Sequence, residues 1–269
     1  MAISGCSSPG SNSDYQPSPD VERMTFRWSA EPGISLVDGP AVAVRAYLES
    51  YDRALFAQDE RAAYHGFDRA VKPNVGDYLS STGLRRPYTN FLAMKAPGSV
   101  GTEHLHIERI TQSNGRTEAI VFSDVRRISQ LFDKDWTGDP PYRSLVFSVG
   151  GTVEPYGSMR PDFPLRMGVT VMRIVMSGTP EPAQPAQHGS SDFPRGDVFG
   201  NWSIDEFNLY VGQYSVNFNG KSVTSTVPWA TANADLEACK RFAQPLAAPQ
   251  ADGNSPLYPT EPSDPGWPQ

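Results

Sequence analysis

His104 and His106 stand two residues apart, flanked by Glu103 and Glu108. On an extended strand alternate side chains share a face, so His104, His106 and Glu108 together offer the donor types that a divalent cation takes. No further ligand follows at the spacing of a metal motif. The same alternation also reads as the polar face of a strand whose other face carries Leu105 and Ile107. A second grouping is Tyr47, Tyr51, Asp52 and His65. A carboxyl raised in pKa by burial acts as a general base, so Asp52 in a pocket with Tyr47 or His65 would be equipped for acid–base chemistry. Helical spacing instead makes Tyr47 and Tyr51 core residues and sets Asp52 and Arg53 on the wet side. The third candidate is Cys6, preceded by Ile3-Ser4-Gly5. Small residues there let the chain lie extended in an enzyme cleft, and the sulfur is a nucleophile. The chain carries no Gly-x-Ser-x-Gly elbow, phosphate loop, dinucleotide fingerprint or His-Glu-x-x-His, and no cofactor is expected.

The elements that must position these groups follow from periodicity. Val44, Tyr47, Leu48, Tyr51, Leu55 and Phe56 recur at three- and four-residue spacing, which predicts a helix within 38–67, with Asp38 as its cap and Pro40 in its first turn. One or two short helices are expected within 75–96. From residue 103 the period becomes two, and Asn114-Gly115 between Leu105-x-Ile107 and Ala119–Phe122 predicts a hairpin. Further strands are expected at Arg143–Val153, Leu165–Met176, Trp202–Val211 and Tyr214–Phe218. Val169–Met176 is apolar on both faces and belongs in the middle of a covered sheet. A closing helix over 230–242 puts Leu236, Cys239 and Phe242 on one face, so Cys239 reads as a small buried hydrophobe. Helices followed by hairpin-connected strands predict an α+β fold, with amino-terminal helices packed on a curved, mainly antiparallel sheet.

The chain has 269 residues and a formal net charge of −7, which lacks the clustered cations of a nucleic-acid binder. No stretch approaches the roughly 20 apolar residues of a membrane span. Of 25 prolines, five lie in 1–40, four in 178–197 and seven in 243–269. Segments so rich in Pro, Ser and Gly bury too little apolar surface to offset chain entropy, so 1–40 is expected to be a flexible tether and 243–269 a disordered tail. Between them 41–242 reads as one domain, interrupted by a Pro-rich insertion at about 178–197. Trp136 and Tyr142 in the polar loop 133–142 suit contact with a glycan or a partner protein, or equally the capping of the sheet.

Ile3-Ser4-Gly5-Cys6, followed at once by a polar run of Ser, Pro, Gly and Asn, resembles the lipobox of bacterial lipoproteins. The resemblance implies a diacylglycerol thioether on Cys6 and anchorage to the cell membrane from outside. It also implies an upstream signal peptide, because the charged and apolar segments that precede a lipobox do not precede Ile3. The 18 Arg against 5 Lys suits a GC-rich, actinobacterial source. The order of elements over 41–211, ending in Gly200-Asn201-Trp202-Ser203-Ile204-Asp205-Glu206-Phe207, resembles the cone-shaped NTF2-like superfamily. That superfamily holds small isomerases and dehydratases, binding modules and secretion-scaffold domains. The expectation is therefore a cell-envelope lipoprotein with a non-catalytic binding domain for an envelope protein or glycan. The alternatives are a pocket enzyme of the NTF2-like type and a scaffold subunit of an envelope secretion machine.

Overall fold

In a computed structural model that describes residues 15–74, 85–87, 89, 98–131, 142–144, 168–179, 186–210, 215–218, 221–224, 226–243, 245–246 and 256–269, the expected hairpin is present. It joins β2 (Ser99–Ser113) to β3 (Arg116–Asp124). Asn114 and Gly115 both take positive φ, 50° and 73°, as the tightest hairpin turn requires. β3 runs on through a bulge into β4 (Ile128–Leu131), which pairs with the start of β2, and β5 (Tyr142–Ser144) pairs with β4. Within that bulge a Cβ on Gly101 would lie 2.2 Å from the Arg127 carbonyl oxygen, so the residue has to be glycine. β6 (Val169–Ser177) lies between β3 and β7 (Ser203–Tyr210), all antiparallel. This is the central, doubly covered position its apolar faces predict. β8 (Ser215–Phe218) and β9 (Lys221–Thr224) form a separate two-stranded ribbon.

The helix begins at Pro40, whose missing N–H is harmless at that position, and spans Pro40–Ala57 as α1. Gly39 and not Asp38 is the cap residue, and no side chain caps it. The helix ends where Gln58 turns left-handed and its N–H reaches back to Ala54 and Leu55. A 3-10 turn (Glu60–Ala62) and the short α2 (Phe67–Ala70) follow. α3 (Ala232–Phe242) covers the sheet face opposite α1, packing Leu236 and Cys239 against Ile120, Phe122 and Val171. On the α1 face Tyr47 and Tyr51 meet Phe207 at ring separations of 5.3 and 4.8 Å. The protein is thus α+β, with helices on both faces of a mixed sheet.

The described parts of both flanks correct the expected boundaries. Met24–Ala30 is a strand, β1, paired parallel to β2 along Gly101–Ile107 with Met24, Phe26 and Trp28 in the core. Tyr15 is buried, donates to the Ala62 carbonyl at 2.6 Å and packs edge-on against Tyr64. At the other end the Asp264 backbone bonds both Phe26 and Trp28 on the free edge of β1, and residues 266–267 bridge to 189–191. Trp267 is only 1% exposed. The proline-rich composition of both flanks reads as unfolded, and it hides the two-residue alternation of Met24, Phe26 and Trp28 in the first. These described parts are ordered by a neighbour's hydrogen bonds and pockets. Ser191 and Phe193 likewise bring part of the expected 178–197 insertion into the packed body.

No described helix is long and apolar enough to cross a membrane. Cys6, Trp136, the helices expected within 75–96 and most of the strand expected at 143–153 lie outside the described residues.

Candidate functional site

Along α1, Arg45, Glu49, Asp52 and Arg53 recur at the three- and four-residue spacing that ordinarily marks a wet face, yet every one of them is buried. Asp52 is 1% and Arg53 0% exposed, which overturns their expected place on the solvent side. The physical reason is that the sheet covers one flank of α1 while β1, residues 15–24, residues 186–193 and the carboxy-terminal strap cover the rest.

The two arginines tie these segments to the helix. Arg45 donates to the carbonyls of Leu36, Gln187 and Pro265, and its guanidinium stacks on Trp267 at 4.2 Å. Arg53 donates to the carbonyls of Val21, Met24 and Asp192 and to the Tyr64 hydroxyl. Between them Glu49 accepts from both indoles, Trp28 at 2.8 Å and Trp267 at 2.7 Å, and from the Tyr64 hydroxyl at 2.7 Å. Burial raises the Glu49 pKa, against the pull of Arg45 and of these donors. The neighbouring tyrosines are held neutral by burial, Tyr64 well above the ordinary phenol range. This network cross-links five stretches of chain, and its donors and acceptors are largely consumed in doing so.

Asp52 differs. It faces Glu103 of β2, which is itself fully buried and accepts from Ser123 at 2.6 Å. Asp52 Oδ2 and Glu103 Oε2 are both buried and, among the described residues, receive no hydrogen bond from an N–H or hydroxyl group. Burial first, and then the charge of the partner carboxyl, push Asp52 well up; burial pushes Glu103 up to about 7. Two such carboxyls share a proton, which is the electronic arrangement of an acid–base dyad. Tyr47 donates to the Arg85 carbonyl at 2.8 Å and is also fully buried. Both groups lie within the core between α1 and the sheet, so the structure separates them from solvent.

His65 does not join Asp52 and Tyr47. It lies on the rim of an open groove of about 450 Å³ that includes Tyr15, Glu60, Tyr64 and Asp68, with its Nε2 buried and unpartnered. The strand pair also divides. His104 Nε2 lies 3.4 Å from Glu261 of the strap, whereas His106 Nε2 lies 3.5 Å from Glu31 and 3.8 Å from Glu108. His106 and Glu108 therefore converge as the strand alternation predicts, but their third member is Glu31. That residue follows β1, and the disorder expected of residues 1–40 hid it from the sequence reading. Cys239 is a free thiol that donates to the Thr170 carbonyl, its pKa pushed up to about 12 by burial, so it is inert.

The chain matches no protein-family model, no curated protein and no solved structure.

Proposed function

We propose that this chain is an extracytoplasmic lipoprotein, anchored through lipid on Cys6, whose α+β body binds an envelope protein or glycan and does not turn over a small substrate. The observation that carries the second half is the enclosure of Asp52, Glu103 and Tyr47. Their burial between α1 and β2 leaves a substrate no approach, while the arginine network around them is spent on holding chain segments together. A pocket enzyme needs the opposite, a carboxyl that opens into a cavity. The anchor is supported by Ile3-Ser4-Gly5-Cys6 and by the polar residues after it. The NTF2-like reading belongs to this proposal. It is supported by β7, whose Ile204 and Phe207, with Trp202 just ahead of it, lie in the same core as Tyr47 and Tyr51, although a strand ahead of the helix is not part of the order that suggested it.

The test is the mass of the mature amino terminus of protein isolated from its native host. The expected result is a chain beginning at a diacylglycerol-modified Cys6, absent in Cys6→Ala. An internal, unmodified Cys6 overturns the anchor and with it the envelope address.

A further inference from the structure

We propose that Glu31, His106 and Glu108 form a binding site for a divalent transition-metal ion, with Zn²⁺ the natural probe. One nitrogen and two carboxylate oxygens from these residues all lie within 4.8 Å of one another. A tetrahedral zinc with ligands at about 2.0–2.2 Å holds them roughly 3.3–3.6 Å apart, so the His106–Glu31 distance of 3.5 Å already fits, and 3.8 Å to Glu108 closes with a small rotamer change.

The orientation of the imidazole is the second, independent observation. His106 Nδ1 lies 2.9 Å from Ser29 Oγ, and that hydroxyl has the Leu105 carbonyl at 3.4 Å as an outlet for its own proton. We assign Nδ1–H as the donor to Ser29, the tautomer that leaves the Nε2 lone pair on the side of the two carboxylates. Three electron-pair donors then converge, a set that a metal cation between them would satisfy. The ring packs against both Phe242, at 5.1 Å, and Phe122, at 5.8 Å, each at 28°. Glu31 is set by the backbone, its N–H bonding the Ile107 carbonyl at 3.0 Å, and the β2 irregularity between Ile107 and Arg109 falls at Glu108. The nearest guanidinium on β2, Arg109, is engaged by Asp235 and Thr231 of the α3 end and does not neutralise the cluster. The Glu31 side chain is half exposed, so the fourth coordination position faces water and a ligand from outside can enter it.

The experiment is calorimetric titration of the untagged, EDTA-treated full chain with Zn²⁺ at pH 7.5, repeated with Co²⁺ read by visible absorption. The expected result is one site per chain, weakened at least tenfold in Glu31→Gln and in Glu108→Gln, with a tetrahedral cobalt spectrum. Glu31→Gln alters only an exposed end of the cluster and leaves the fold intact, which unchanged thermal melting without metal verifies. His104→Gln should bind as the parent does. Absence of binding means that a proton on Nε2 satisfies the cluster, and overturns the proposal. Binding that survives Glu31→Gln and Glu108→Gln but is lost in His104→Gln also overturns it, and moves the ion to the Glu261 side.

Discussion

Asp52 and Glu103 are two carboxyls with one proton's worth of hydrogen bonding between them, and this makes stability depend on pH in a definite direction. In the unfolded chain both ionise at ordinary carboxyl values. In the fold both hold their proton longer, Glu103 to about pH 7 and Asp52 beyond the usual range. The folded state thus binds more protons than the unfolded state above about pH 4.5, and its stability falls as pH rises toward and past 7. Asp52→Asn supplies a permanent amide donor to the Glu103 carboxylate and removes the like charge. Its melting temperature should match the parent at pH 4.5 and exceed it by several degrees at pH 8, reflecting on the order of 1–3 kcal/mol. Parallel melting curves for the two proteins across that range would sink the shared-proton account. The sequence pointed to Asp52 as a residue of interest, but it assigned the wrong environment. A charged stripe on a helix looks the same whether water or other chain segments cover it, and only long-range packing decides. Glu103 was legible merely as a flank of His104, because its partner lies 51 positions earlier in the chain.

At the level of elements, local chemistry was readable wherever it was self-contained. Asn114-Gly115, the two apolar faces of β6 and the Pro40 start all follow from two or three neighbouring residues. β1 was missed although Met24, Phe26 and Trp28 alternate with Thr25, Arg27 and Ser29, because the proline-rich flank around it read as disordered. The strap, a proline-rich tail, instead acquires its shape from the edge it docks on. The strap shields the free edge of β1, which would otherwise present unpaired backbone groups. Its anchor is Trp267, which combines a fully buried ring, an N–H to Glu49 and the face beneath Arg45. Trp267→Ala opens a cavity beside a buried ion pair and should cost about 3–5 kcal/mol, seen as a fall of roughly 10 °C in melting temperature. Trp267→Phe keeps an aromatic ring but loses the donor and part of the indole volume, so it should cost less, about 1–3 kcal/mol. If both melt like the parent, the strap does not hold the fold and the tail is the free appendage its composition suggests.

For the whole molecule, the docking of Tyr15 changes what an anchor on Cys6 would imply. A tether running to residue 40 would let the body wander well away from a bilayer. With Tyr15 fixed to Ala62 and packed against Tyr64, nine peptide steps remain from Cys6, which reach at most about 30 Å when fully extended. The body would then stay next to the membrane with the groove around Tyr15 and His65 on its near side, since the chain enters there. If Cys6 is lipidated, stable anchoring of a protein with a net charge of −7 would fall to the acyl chains, each buried CH₂ contributing about 0.8 kcal/mol, because the surface charge would give no attraction to anionic lipid. Energy transfer from a dye on the body near Tyr15 to an acceptor in the bilayer should therefore report a separation under about 30 Å for the lipidated parent. Tyr15→Ala removes the hydrogen bond to Ala62 and the ring packing, and should lengthen that separation by releasing the segment ahead of Val21. A parent whose separation already matches a tether of about 34 residues, unmoved by Tyr15→Ala, would show that the amino-terminal segment does not stay docked on a membrane.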